Sequence, residues 1–153
     1  MNNDGADGVT LVGLEGTGFK NPLSNTTLVN ITMAKKLLII PIIAAGGIGD
    51  ARGFLSALAM GADAVCFGTA LMITEECPVA LNIKEKWLKI NIFNKDFYNT
   101  IFHYNVKNFM SPSMALGHRK EIVSVKAFIE EIINGAENIL KLWGFKKEEF
   151  STL

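Results

Sequence analysis

Two segments of this chain end in residues suited to holding an anion. One is Pro41-Ile42-Ile43-Ala44-Ala45-Gly46-Gly47-Ile48, and the other is Ala64-Val65-Cys66-Phe67-Gly68-Thr69-Ala70. Each is an unbroken apolar run closing on glycine, as expected of a buried parallel strand whose C-terminal end lets a ligand approach the backbone. At Gly46, Gly47 and Gly68 the missing side chain exposes backbone N–H donors. A helix beginning near Thr69 would add its positive end, and the threonine hydroxyl one more donor. Two such ends side by side can hold one phosphate. The same glycines also suit tight αβ turns, but their tandem arrangement with Thr69 favours the phosphate reading.

Other residues able to do chemistry are fewer. Glu15-Gly16-Thr17-Gly18 is a further glycine-rich loop, in which Glu15 reads either as a loop anchor or as a solvated carboxylate. Cys66 alternates within an apolar strand and reads as a core thiol, and Cys77, just before Pro78, as a loop residue. The two cysteines lack metal-type spacing and no Cys or His cluster accompanies them, so no metal site is expected. His118, beside Arg119 and Lys120, reads as a solvated charge patch. Trp87 and Trp143 read as helix-packing anchors.

The elements that must position the glycines follow from periodicity. Gly5-Ala6-Asp7 and Gly61-Ala62-Asp63 each precede a β-branched apolar run, as at αβ junctions where glycine closes a helix and a strand begins. Strands are expected over Gly8 to Gly13, Ile40 to Ala45 and Ala64 to Gly68. Helices are expected over Thr26 to Leu38 with Asn25 as N-cap, and over Asp50 to Met60 with Asp50 as cap, and a short one over Thr69 to Ile73. Alternating strands and helices imply a parallel sheet of α/β class. After Thr74-Glu75-Glu76-Cys77-Pro78 the alternation stops. Ala80 to Ile90 reads as a helix, Asn91 to Tyr104 has no decisive period, and Met110 to Leu116 reads as core filling or cover of an apolar pocket. Ser124 to Leu142 carries an apolar helical face ended by Gly144, and residues 146–153 read as a tail. The organisation expected is residues 1–78 as the C-terminal half of a barrel, 79–145 as a helical extension packing on it, and the tail.

Composition bounds the class. The chain has 153 residues, 49% hydrophobic and 20% charged, which suits one domain with a core but falls short of the about 250 residues of an eight-stranded barrel. Lysine plus arginine equals aspartate plus glutamate at 15 each, so no global field favours nucleic acid or an anionic membrane. The polar start does not read as a signal peptide, and Leu37 to Ala45 is far shorter than the roughly 20 residues that span a bilayer. A cytoplasmic protein with reduced thiols is the expectation.

In order along the chain, Glu15-Gly16-Thr17-Gly18, Ala44-Ala45-Gly46-Gly47-Ile48, Gly61-Ala62-Asp63, Gly68-Thr69 and Thr74-Glu75-Glu76 resemble the C-terminal part of the nitronate monooxygenase family, formerly 2-nitropropane dioxygenases. The resemblance is close from about Gly5 to Pro78 and looser beyond. It implies a partial (β/α)₈ TIM barrel comprising the last three or so β/α units, FMN as cofactor, and oxidation of alkyl nitronates with O₂. It implies that Gly46, Gly47, Gly68 and Thr69 hold the FMN phosphate, and that Gly18 lets its loop pass close to the flavin ring. One position departs from the pattern. Where well-known members carry a histidine that acts as base on neutral nitroalkanes, this chain has Phe19, which cannot accept a proton. Nitronates, already deprotonated, remain eligible substrates, and no catalytic residue is assigned. His103 and His118 lie outside the motif and do not replace it. A flavin-dependent enoyl-acyl-carrier-protein reductase-like enzyme and a non-catalytic FMN or phosphate-binding half-barrel stay open as alternatives. IMP dehydrogenase-like proteins share the turns, but their nucleophilic cysteine loop is not visible here.

Three parallel strands leave two unpaired edges and an apolar face. The expectation is therefore a fragment of a longer family member, or a chain whose open face self-associates or meets a partner that completes the barrel.

Overall fold

Strand order follows chain order. The computed structural model describes residues 5–17, 25–102 and 112–145. In it β1 (Val9–Val12), β2 (Ile42–Ala45) and β3 (Ala64–Cys66) form one parallel sheet in the order β1-β2-β3. Helices α1 (Thr27–Leu37) and α2 (Ala51–Ala59) make the two crossovers. Ile31 and Ala34 of α1 and Ala57 of α2 are buried together against Ile42 and Ala44, with Val9, Leu11, Val65 and Phe67 packed around them. Both helices thus cover the same sheet face. Sequential strands with every crossover on one side form the wall of a barrel, whereas a doubly wound sheet places helices on both faces. The described part of the chain is α/β, with three consecutive units of a (β/α)₈ barrel.

The opposite face follows from register. Thr10, Ile43 and Ala64 form one row, and Val12, Ala45 and Cys66 the next. Cys66 is exposed rather than a core thiol. Strand side chains alternate, and it is Val65 of β3 and Phe67 just after it that meet the helices, so Ala64 and Cys66 fall on the opposite, exposed side. On this second face Ala45 is buried, whereas Thr10, Ala64 and Cys66 are exposed.

Local chemistry accounts for the element ends. Thr26, not Asn25, caps α1, its hydroxyl accepting from Val29 N at 3.3 Å, while the Asn25 carbonyl accepts from Leu14 N. Asp50 caps α2 as expected, accepting from Gly53 N at 2.7 Å. β2 starts at Ile42 rather than Ile40 because Pro41, which has no N–H, contributes only its carbonyl, accepting from Val9 N. The repeated Gly-Ala-Asp junctions share a left-handed glycine, at φ +75° in Gly5 and +104° in Gly61. Asp63 then pairs with Ile42 twice: its N–H donates to the Ile42 carbonyl, and its carboxylate accepts from Ile42 N at 2.9 Å.

Beyond β3 the chain builds a cap and a buttress. The cap contains α3 (Thr69–Met72), α4 (Leu81–Leu88), α5 (Lys95–Phe102) and a 3₁₀ turn (Met114–His118). Ile73, Trp87 and Leu116 form its buried centre. The start of α5 is marked by Asn94, whose side chain accepts from Asp96 N at 2.7 Å, a capping signal within the stretch that lacked a clear period. The ammonium of buried Lys84 donates to the carbonyls of Thr74 and Cys77 at 2.6 and 2.7 Å and so fixes the turn after α3. From that turn the Glu76 carboxylate accepts from Val125 N at the start of α6 (Val125–Leu142), where Ser124 is the N-cap.

Helix α6 packs along α2, and Phe128 and Ile132 close over Ala70 with Phe54, Phe67 and Leu71 around them. Phe128 meets Phe67 edge to face, ring centroids 5.1 Å apart. Arg119 is buried, which corrects the solvated-patch reading: its guanidinium lies 5.0 Å from the Phe128 ring centroid and pairs with Glu131 at 2.9 Å. Trp87 is a packing anchor, but Trp143 is 61% exposed and is not. Met110 and the tail at 146–153 lie outside the described residues.

Phe128→Ala should cost about 3 to 5 kcal/mol in urea unfolding, because a fully buried ring leaves a cavity among three elements. Asp63 gives a pH signature. The Ile42 N–H holds its carboxyl below the ordinary 3.8; partial burial works against this, and the Lys35 ammonium adds to the lowering. A lowered carboxyl pKa stabilises the fold above the unfolded value, and that contribution is lost as pH falls through the folded one. Asp63→Asn should therefore melt below the parent at neutral pH, and the two melting curves should converge as pH drops below 3.8.

Candidate functional site

The glycine turns sit at the C-terminal ends of neighbouring strands. Ala45 pairs with Cys66 in register, so Gly46-Gly47 and Gly68-Thr69 leave the sheet next to each other, at the usual strand spacing of about 4.8 Å. Gly46 and Gly47 both have left-handed backbone, φ +98° and +72°. Among the described residues, the N–H groups of Gly46, Gly47 and Gly68 make no hydrogen bond to the rest of the chain. In α3 the Leu71 and Met72 N–H groups donate to the Gly68 carbonyl, which leaves those of Thr69 and Ala70 without intrahelical acceptors. A Cβ built on Gly68 meets nothing within 4 Å, so space is open above that backbone. Missing side chains, unused donors and open space together fit a bound phosphate monoester such as that of FMN.

Thr69 is 5% exposed, and its hydroxyl oxygen accepts from Ser113 N at 2.8 Å. Accepting that bond fixes the hydroxyl oxygen and leaves its proton to donate, beside the backbone N–H, to an anion. Gly18 and Phe19 lie outside the described residues.

The loop after β1 is built into the same end of the sheet. Gly13 N donates to the Ala45 carbonyl and Gly16 N to the Gly13 carbonyl. A Cβ on Gly46 would lie 3.1 Å from both Gly13 N and Gly16 N, and one on Gly47 would lie 2.8 Å from Glu15 Cβ. Backbone therefore rests on backbone. Glu15 is not a solvated carboxylate: its Oε2 accepts from the Thr27 N–H and from the Thr27 hydroxyl, each at 2.9 Å. Its own carbonyl accepts from Met114 N at 3.1 Å.

The segment from Pro112 to Met114 thus joins the first and third strand ends, through Glu15 and Thr69 respectively. Sequence reasoning missed Ser113 and Thr27. Ser113 lay inside a stretch read only as methionine cover, and Thr27 inside a helix read only for its cap. His118 approaches Asp50 Oδ2 at 3.4 Å at the start of α2, and its Cβ lies against Gly49, two residues after Gly47. Among the described residues no group of three or more His, Cys, Asp or Glu could hold a metal ion, and no helix is long and apolar enough to cross a membrane.

Comparison with known proteins fixes the lineage. The family model described as nitronate monooxygenase matches residues 1–107. This chain belongs to the nitronate monooxygenase family. It is 39% identical over 84 residues to a (3aS,4S,5R,7aS)-5-hydroxy-7a-methyl-1-oxo-octahydro-1H-indene-4-carboxyl-CoA dehydrogenase of Rhodococcus jostii, covering 55% of this chain and 23% of the relative. It is 37% identical over 81 residues to the nitronate monooxygenase of Pseudomonas aeruginosa, covering 47% and 22%. Among solved structures it superposes on FabK of Thermotoga maritima with TM-score 0.76 and 28% identity, over 93% of this chain and 58% of that one. A nitroalkane oxidase of Streptomyces ansochromogenes shares the fold, with TM-score 0.67 and 19% identity, over 91% and 54%. The chain spans about a quarter of the length of the curated relatives it matches, and somewhat more than half of the structural ones.

The two turns should respond differently to a methyl group. Gly47→Ala must hold an L-residue in left-handed backbone against Glu15, and should cost at least about 1 to 2 kcal/mol by urea denaturation. Gly68→Ala, with open space around it, should stay within about 0.5 kcal/mol of the parent.

Proposed function

We propose that this chain carries the phosphate-binding part of an FMN-dependent oxidoreductase of the nitronate monooxygenase type, which oxidises alkyl nitronates with O₂. The observation that supports this most is the pair of adjacent glycine turns, registered through Ala45 and Cys66, in a chain of that family. On this reading the backbone N–H groups of Gly46, Gly47, Gly68 and Thr69 hold the phosphate, and the loop through Gly18 lies beside the ring system. FMN, when bound, supplies the electron-accepting group and the reaction with O₂. The chain's own share is to bind and orient it. Phe19 offers no base, so a substrate must arrive without an acidic C–H left to remove, as a nitronate does. A cytoplasmic location with free thiols belongs to the same reading. So does completion of the barrel by further strands against the open face.

A second reading is favoured by one combination. Two relatives, at 39% and 36% identity, are named as carboxyl-CoA dehydrogenases, and this chain lacks the histidine that nitroalkane chemistry uses. Flavin-dependent redox chemistry on an acyl thioester is therefore the alternative, with a non-catalytic flavin binder as the third.

The test is flavin retention followed by turnover. The purified chain mixed with FMN and passed through gel filtration should keep the flavin absorbance band, and should keep less with riboflavin, which lacks the phosphate. Oxygen uptake with propyl nitronate but not with neutral nitropropane supports the first reading. NAD(P)H oxidation or dye reduction driven by acyl-CoA thioesters, without nitronate turnover, supports the second. Phe19→His should confer activity on neutral nitroalkanes if the base position is the deciding difference.

A further inference from the structure

We infer that Glu15 and Thr27 form a positioning clamp that sets the Gly46-Gly47 turn for the phosphate. The inference rests on the FMN reading above and names residues that the motif glycines do not include.

The Thr27 hydroxyl has three acceptors within reach: Glu15 Oε2 at 2.9 Å, the Gly46 carbonyl at 3.1 Å and the Ala45 carbonyl at 3.2 Å. One hydroxyl has one proton, and the ionised, closest acceptor takes most of it. The Thr27 N–H donates to the same carboxylate oxygen, so Glu15 is bound by two donors of one residue at the first position of α1. Thr27 is 6% exposed, which keeps water from competing for these bonds.

The result is a chain of fixed contacts. It runs from the start of α1 through the Glu15 carboxylate to its Cβ, against which Gly47 rests with no room for a side chain. It returns through the Thr27 hydroxyl, which shares the remainder of its proton with the Gly46 carbonyl at 3.1 Å, the group that precedes the Gly47 N–H. Two successive left-handed residues are otherwise free to reorient their peptide planes, because glycine has many accessible conformations. Without the clamp the N–H groups that face the anion would not be held in direction, and the phosphate would bear the ordering cost on binding.

The test compares FMN with riboflavin, because only the phosphate senses the turn. In the parent chain FMN should bind more tightly than riboflavin. Glu15→Ala and Thr27→Val should each weaken FMN about tenfold or more, the size expected for losing a hydrogen bond to a charged group, and leave riboflavin within about twofold. Thr27→Ser, which keeps the hydroxyl, should restore FMN binding. Without ligand, ¹⁵N relaxation should show Gly46 and Gly47 dropping from rigid-backbone order parameters of about 0.85 towards 0.6 in Thr27→Val, with Ile42 and Ala44 unchanged. Thr27→Val preserves shape and serves where Glu15→Ala does not fold. Equal losses for FMN and riboflavin, or rigid glycines in the variant, would overturn the clamp and leave a merely structural contact. A parent chain that prefers FMN, with variants that keep the preference, overturns this inference alone. A parent chain with no preference overturns the phosphate reading itself, and the clamp's role with it.

Discussion

Close approach of backbone to backbone at one end of the sheet is the constraint on which the rest depends. Gly46 and Gly47 leave β2 in left-handed conformation and lie directly on the Gly13 to Gly16 loop, where a Cβ on Gly47 would collide with Glu15 and one on Gly46 would press on loop backbone at 3.1 Å. That contact lets three separate chain segments share one end of a narrow sheet. It also leaves the Gly46 and Gly47 N–H groups with no acceptor among the described residues. A side chain at Gly46 or Gly47 would push the loop away and block the donors at once. Packing and binding therefore make the same demand on these positions, and glycine alone meets it.

The remaining structure supplies rigidity around that point. The α1 and α2 face of the sheet is closed by small residues such as Ala34, Ala44 and Ala57, which bring helices close to strands. A second cluster ties α6 to the start of α3 through Phe128 and Ala70, and a third stacks α4 and the 3₁₀ turn on Ile73. Buried polar groups in these regions are satisfied locally: Lys84 by two carbonyls, Arg119 by Glu131 and an aromatic face. No described buried side-chain nitrogen or oxygen lacks a partner. The open sheet face and the exposed apolar residues Leu28, Met33 and Leu37 on α1 show that the sheet and helix layers are closed on one side only among the described residues.

Much of this was legible in the chain because its signals are local. Asp50 capping α2, glycine closing the αβ junctions and the short helix after Gly68 each follow from a few adjacent residues. Three features were not legible. The exposure of Cys66 depends on what covers the second face of β3, which no residue near Cys66 encodes. Burial of Arg119 arises because α6 brings Phe128 and Glu131 to it from the next element along the chain. The hold of Thr27 on Glu15 joins positions twelve apart through a helix start that reads as ordinary. Apolar periodicity fixes which residues face inward, but the partner of a polar residue is a tertiary fact. Gly18 and Phe19 fall outside the described residues.

The most direct test of the central claim is an amide map of the site during flavin titration. With ¹⁵N-labelled chain, FMN should move the amide resonances of Gly46, Gly47, Gly68 and Thr69 together and saturably, while riboflavin leaves these four largely unmoved. Shifts confined to other parts of the fold, or the same response to both flavins, would contradict the assignment of the two glycine turns as one phosphate site.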